Sequence, residues 1–68
     1  MNTTELKKVM LDHGDTSKAL ADYLEMAEST FSTKIHERGA AFRKREIQKI
    51  IDRYGLTPDQ TMVIFFDN

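Results

Sequence analysis

A chain of 68 residues with a net charge of −1 and no cysteine is expected to form one domain, residues 1–68. A core of that size is marginal and depends on efficient packing. The missing cysteine excludes a disulfide framework and a thiolate metal site, and the chain is at home in a reducing cytoplasm. The longest apolar run, Met62 to Phe66, is too short for a membrane span, and nothing resembles a signal peptide, so no membrane contact and a cytoplasmic location are expected. Two histidines, with no paired carboxylates around a convincing pocket, leave no catalytic or metal-binding constellation. No enzyme activity, cofactor, metal or small-molecule substrate is expected.

Asn2-Thr3-Thr4-Glu5 reads as a capping box, with Asn2 as N-cap and Glu5 reaching back. Leu6, Val9, Met10 and His13 follow on one face of a first helix, Leu11 lies off that stripe and is left to pack on a neighbour, and Gly14 fits the residue that ends the helix. His13 in the last turn favours the negative helix end. Asp15, Thr16 and Ser17 offer N-caps for a second helix running to about Leu24, with Leu20, Ala21 and Leu24 as its apolar stripe. Leu24-Glu25-Met26-Ala27 is long enough only for a turn. A third helix then begins near Ala27 or Glu28, ends before Gly39, and buries Phe31 and Ile35. Two amphipathic helices on so short a connector must cross steeply and share one core.

With Phe31 and Ile35 inward, the outward face of the third helix holds Glu28, Ser29, Ser32, Thr33 and His36. A merely solvated face would more often carry Glu, Lys, Gln and Arg, which are better helix formers. Short hydroxyl side chains suit close approach to base edges in a major groove. His36 to Ala41 reads as a loop in which His36 and Arg38 are well placed for a phosphate, and Phe42 as a core plug.

A fourth helix carries Ile47, Ile50, Ile51 and Tyr54 at helical spacing and stops at Gly55. It opens on Arg43, Lys44 and Arg45, three cations that oppose the macrodipole there. Cations kept at such a place point to a nearby anion, although solubility alone can also account for them. Thr57, Pro58 and Gln60 mark the start of a fifth helix as N-cap, N1 and N3. Its run Met62-Val63-Ile64-Phe65-Phe66 is apolar nearly all round, so part should pack inward and part should meet another chain.

Charge is uneven. Residues 34–53 hold seven cations against Glu37, Glu46 and Asp52, a local balance of +4, and the remainder carries −5. A one-faced DNA binder shows such asymmetry, while a bare charge run more often marks a solvated face.

The stretch from Ser17 to Ile35 resembles the helix-turn-helix of the phage Cro and repressor family, the XRE-like or lambda-repressor-like group. That family has a large apolar residue, an alanine, an apolar residue three further on, a turn glycine, another apolar residue and then the recognition helix. Leu20, Ala21, Leu24, Glu25, Met26 and Phe31 stand in those places here. The tail, Ile51 to Leu56 and then Ile64-Phe65-Phe66, also looks like small phage-type members. Two positions depart from the pattern. Glu25 replaces the turn glycine, and a glutamate at φ > 0 costs about 1 kcal/mol. Lys34 stands at the last apolar site of the recognition helix, with Ile35 one residue later, so either the helix is slightly rotated or the lysine stem covers the core edge with its charge in water.

The resemblance implies an all-α, compact five-helix domain with helices 2 and 3 as the helix-turn-helix. It implies a phage- or prophage-derived transcription regulator that binds a double-stranded operator as a homodimer on the nucleoid of a bacterial host. Glu28, Ser29, Ser32 and Thr33 would read bases. Thr16, Ser17, Lys18, His36, Arg38, Arg43 and Lys44 would hold phosphates, and Ile64, Phe65 and Phe66 would form the dimer contact. The alternative is an antirepressor- or antitoxin-like adaptor that keeps the fold without binding DNA. Glu25, Glu28 and the acidic first half support it.

Overall fold

The helix starts and stops written into the sequence are used almost as they stand. The computed structural model describes residues 2–36 and 42–66, and these form five α-helices and no strand. They are α1 (Thr3–Asp12), α2 (Ser17–Tyr23), α3 (Glu28–His36), α4 (Lys44–Tyr54) and α5 (Pro58–Phe65). Among the described residues, no helix is long and apolar enough to cross a membrane.

Each helix contributes a small share to one core. Leu6 and Met10 come from α1, Leu20 and Ala21 from α2, Phe31 and Ile35 from α3, Ile50 and Tyr54 from α4, and Ile64 from α5. Ala21 is fully buried where α2 and α3 pack together, and its small side chain lets the two helices approach. Phe42 is the expected plug, with its ring centroid 5.8 Å from Phe31 and 6.3 Å from Phe65. Leu11 is 78% exposed.

The first turn of α1 differs from the expected capping box. Asn2 accepts the Glu5 backbone N–H at 3.2 Å, but the N–H of Asn2 donates to the Ile64 carbonyl at 2.7 Å. Glu5 therefore has no return bond to make there, and it pairs with Lys8 at 3.5 Å. The Thr3 hydroxyl donates to the Ile35 carbonyl at 2.7 Å. The start of α1 is thus the junction for the end of α3 and the end of α5.

Three helix ends close in the same way. After α1 the Asp15 N–H bonds the Met10 carbonyl, after α2 the Met26 N–H bonds Ala21, and after α4 the Leu56 N–H bonds Ile51. Each is the six-to-one bond of a Schellman ending, which places the preceding residue in the left-handed region. Those residues are Gly14 at φ 67°, Glu25 at φ 60° and Gly55 at φ 62°. Glu25 therefore occupies the backbone state that glycine serves at the two sister sites. Its carboxylate reaches Lys49 at 3.5 Å, an exposed pair of small value. Glu25→Gly is expected to stabilise the fold by roughly 0.5–1 kcal/mol and to raise Tm by about 2–6 °C in a thermal melt.

Of the offered caps for α2, Thr16 is the one used: its hydroxyl oxygen accepts the Ala19 N–H at 3.1 Å. Asp15 instead turns to α4. Its two oxygens accept from Arg53 at 2.7 and 2.8 Å, and one also accepts the Tyr54 hydroxyl. Arg53 in turn lies over the Tyr23 ring at 4.6 Å. The Arg53 hydrogen bonds hold the Asp15 carboxyl down at about 2, against an ordinary 3.8. Burial first, and then the bond to Asp15, pushes the Tyr54 phenol above its usual range.

A carboxyl depressed in the folded state contributes stability above its unfolded pKa and loses it as pH falls through the folded value. The contribution of Asp15 is therefore full above about pH 5, falls steadily towards pH 2 and is gone only below it. Asp15→Asn should make the chain less stable at pH 7 by about 1–2 kcal/mol, after allowance for solvent screening at this rim position. It should also flatten the stability profile between pH 5 and 2 in urea titrations.

Candidate nucleic-acid interface

The outward face of α3 is built as its spacing demands. Phe31 and Ile35 anchor it, at 0% and 5% exposure, while Glu28, Ser29, Ser32, Thr33 and His36 are all exposed. His36 belongs to the last turn of α3 and not to a loop. Arg38 lies outside the described residues. The Thr33 hydroxyl donates back to the Ser29 carbonyl at 3.0 Å, a common helical bond for threonine.

Beneath this face the Lys34 ammonium is not in open water. It lies 3.3 Å from Glu46 of α4, with the two side chains only 18% and 12% exposed. The same Glu46 oxygen accepts the Arg43 backbone N–H at 2.8 Å. One carboxylate thus fixes the third helix against the first turn of the fourth. Ile35, the next residue, remains buried in the core.

The N-cap of α4 is Arg43, whose side chain has no acceptor to offer the helix. Only the return half of a capping box is possible, and Glu46 supplies it. Arg43, Lys44 and Arg45 are exposed and make no ion pair among the described residues. This separates them from Lys34, Lys49 and Arg53, which are engaged with Glu46, Glu25 and Asp15. The basic segment read from the sequence therefore resolves into structural cations and available ones. At the start of α2, Thr16 and Lys18 are exposed and Ser17 is half-buried. The α3 hydroxyl face and the first turn of α4 are tied together by the Lys34–Glu46 pair.

On α5, Ile64 is 1% exposed and fills the chain's own core, so it is not available as a dimer contact. Phe65 is half-buried and meets Phe42 edge-on. The apolar side chains left outside are Met62, Val63 and Phe66, at 58%, 43% and 56% exposure. Val63 also lines a shallow cleft with Glu5, Val9, Asp59 and Gln60, between α1 and α5. Among the described residues, no group of His, Asp and Glu is placed to hold a metal ion.

Reading by sequence overlooked Glu46 and Thr3. The Glu46 signal was present as an acid three residues after an N-cap, but Arg43 at the cap hides the usual Ser/Thr-x-x-Glu pattern. No protein-family model, curated protein or solved structure matches this chain.

Proposed function

We propose that the chain is a DNA-binding transcription regulator with a lambda-repressor-like arrangement, in which α2 and α3 form the helix-turn-helix. Helix α3 enters the major groove, where Glu28, Ser29, Ser32 and Thr33 meet base edges. Thr16, Ser17, Lys18, His36, Arg43 and Lys44 hold the phosphates and set register, and Arg38 is assigned with them from the sequence. Two copies, joined through the exposed α5 side chains Met62, Val63 and Phe66, would present two α3 helices to half-sites of a pseudo-palindromic operator. Regulation would follow concentration or a partner. The reading assigns no catalytic role and no cofactor, and it fits a phage or prophage origin.

The observation that carries this reading is the state of Arg43, Lys44 and Arg45. They are exposed and unpaired among the described residues, at a helix start whose partial charge repels them. A bound phosphate would reverse that cost. The test is fluorescence anisotropy with random and selected duplex pools across a salt series. Enrichment of a near-palindrome, with binding that weakens steeply as salt rises, is the expected result. Absence of binding at low salt would sink the reading.

The second reading, a protein-interaction adaptor, is favoured by Glu28 on the α3 face and by the exposed Met62, Val63 and Phe66. It predicts no retention on heparin or DNA, and loss of partner binding when Phe66 is replaced by a polar residue.

A further inference from the structure

We infer that the α3 face reads its operator through a cytosine amino group opposite Glu28, where guanine is disfavoured, and through a thymine methyl opposite Thr33. The inference rests on the DNA-binding reading above and specifies the bases that reading leaves open.

The face carries no Arg or Lys at an exposed position, and its first-turn residue is an acid. Glu28 is exposed and unpaired among the described residues, and its ionised carboxylate can only accept. The cytosine N4 amino group donates in the major groove, whereas guanine offers two acceptors there, N7 and O6. A carboxylate facing guanine meets like partial charge, so Glu28 selects for one base and against the other.

Thr33 adds a second restriction. Its one hydroxyl proton is spent on the Ser29 carbonyl at 3.0 Å. The hydroxyl oxygen can then only accept, and the γ-methyl suits the thymine C5-methyl. The usual guanine readers are Arg and Lys. The exposed α3 positions carry neither, and the lysine of this helix, Lys34, is held against Glu46 at 18% exposure.

Selection from a random duplex pool tests this with wild-type protein and exposed-site variants. Wild type should select half-sites with a cytosine preferred over guanine at one position by roughly 5- to 100-fold. Glu28→Ala should reduce that preference to within about twofold while strengthening non-specific binding, because a negative charge leaves the interface. Glu28→Gln should move the preferred base toward adenine, which glutamine pairs bidentately. Thr33→Val keeps the methyl and should keep a thymine position. Thr33→Ser keeps the hydroxyl and should lose it.

A selected motif unchanged by Glu28→Ala overturns the inference but leaves DNA binding standing, as does a thymine position kept by Ser and lost by Val. Failure of wild type to select any sequence overturns the DNA-binding reading, and the base assignment falls with it.

Discussion

Glu46→Ala should cost about 2–3 kcal/mol and lower Tm by roughly 10–20 °C, followed by circular dichroism on heating and in urea. Three losses combine. Lys34 is left with its ammonium at 18% exposure without the carboxylate 3.3 Å away. The Arg43 N–H loses its 2.8 Å acceptor at a helix start that has no side-chain cap. The packed side chain itself is removed from beneath α3. Breaking a fully buried pair costs about 3–5 kcal/mol, and partial access for Lys34 reduces that figure. The double variant Lys34→Met, Glu46→Gln removes the charge pair as a unit and keeps an acceptor for Arg43. It should lie within about 1 kcal/mol of wild type, because neutral side chains of similar size remove the desolvation cost of both ions. A double variant as unstable as Glu46→Ala would show that the charge pair itself is net stabilising, because the neutral side chains keep the packing and the Arg43 acceptor.

The second large effect concerns DNA. Combining Arg43→Ser with Lys44→Ala should weaken operator binding roughly a hundredfold, from two lost charge-assisted contacts per subunit. The salt dependence should become shallower by about one for each removed contact. The same variant should gain about 0.5–1 kcal/mol of stability, because a serine hydroxyl at the N-cap would accept from the first turn of α4 and two cations would leave its positive end. Opposite signs for affinity and stability distinguish a phosphate contact from simple damage to the fold. If affinity is unchanged, the cations serve solubility and the proposed phosphate site is wrong.

Much of the fold was legible because its boundaries are local chemistry. Thr57, Pro58 and Gln60 start α5 as read, with both bonds of a capping box formed. Ile47, Ile50, Ile51 and Tyr54 turn one face of α4 inward. What escaped the sequence is long-range. Asp15 had the makings of an N-cap, and only the folded chain brings Arg53 and Tyr54 to it. Lys34 could be placed at the core edge but not opposite Glu46. The tail fails for another reason. Five consecutive apolar residues carry no period, so nothing in them says that Ile64 goes in while Met62, Val63 and Phe66 stay out. On the candidate interface, the exposed α3 positions followed directly from Phe31 and Ile35. Which cations are available did not, since that depends on where the acids lie in space.

The bond from the Asn2 N–H to the Ile64 carbonyl has a kinetic consequence. Helices α2 and α3 are neighbours in sequence and can dock after closing a loop of a few residues. Docking α5 on α1 must instead close a loop that takes in nearly the whole chain, and that entropy is lost before any contact is made. The α2–α3 pair is therefore the expected nucleus, and the α1–α5 seam is expected to form after the rate-limiting step. Weakening the seam, for instance with Ile64→Val, should hasten unfolding and leave the refolding rate nearly unchanged.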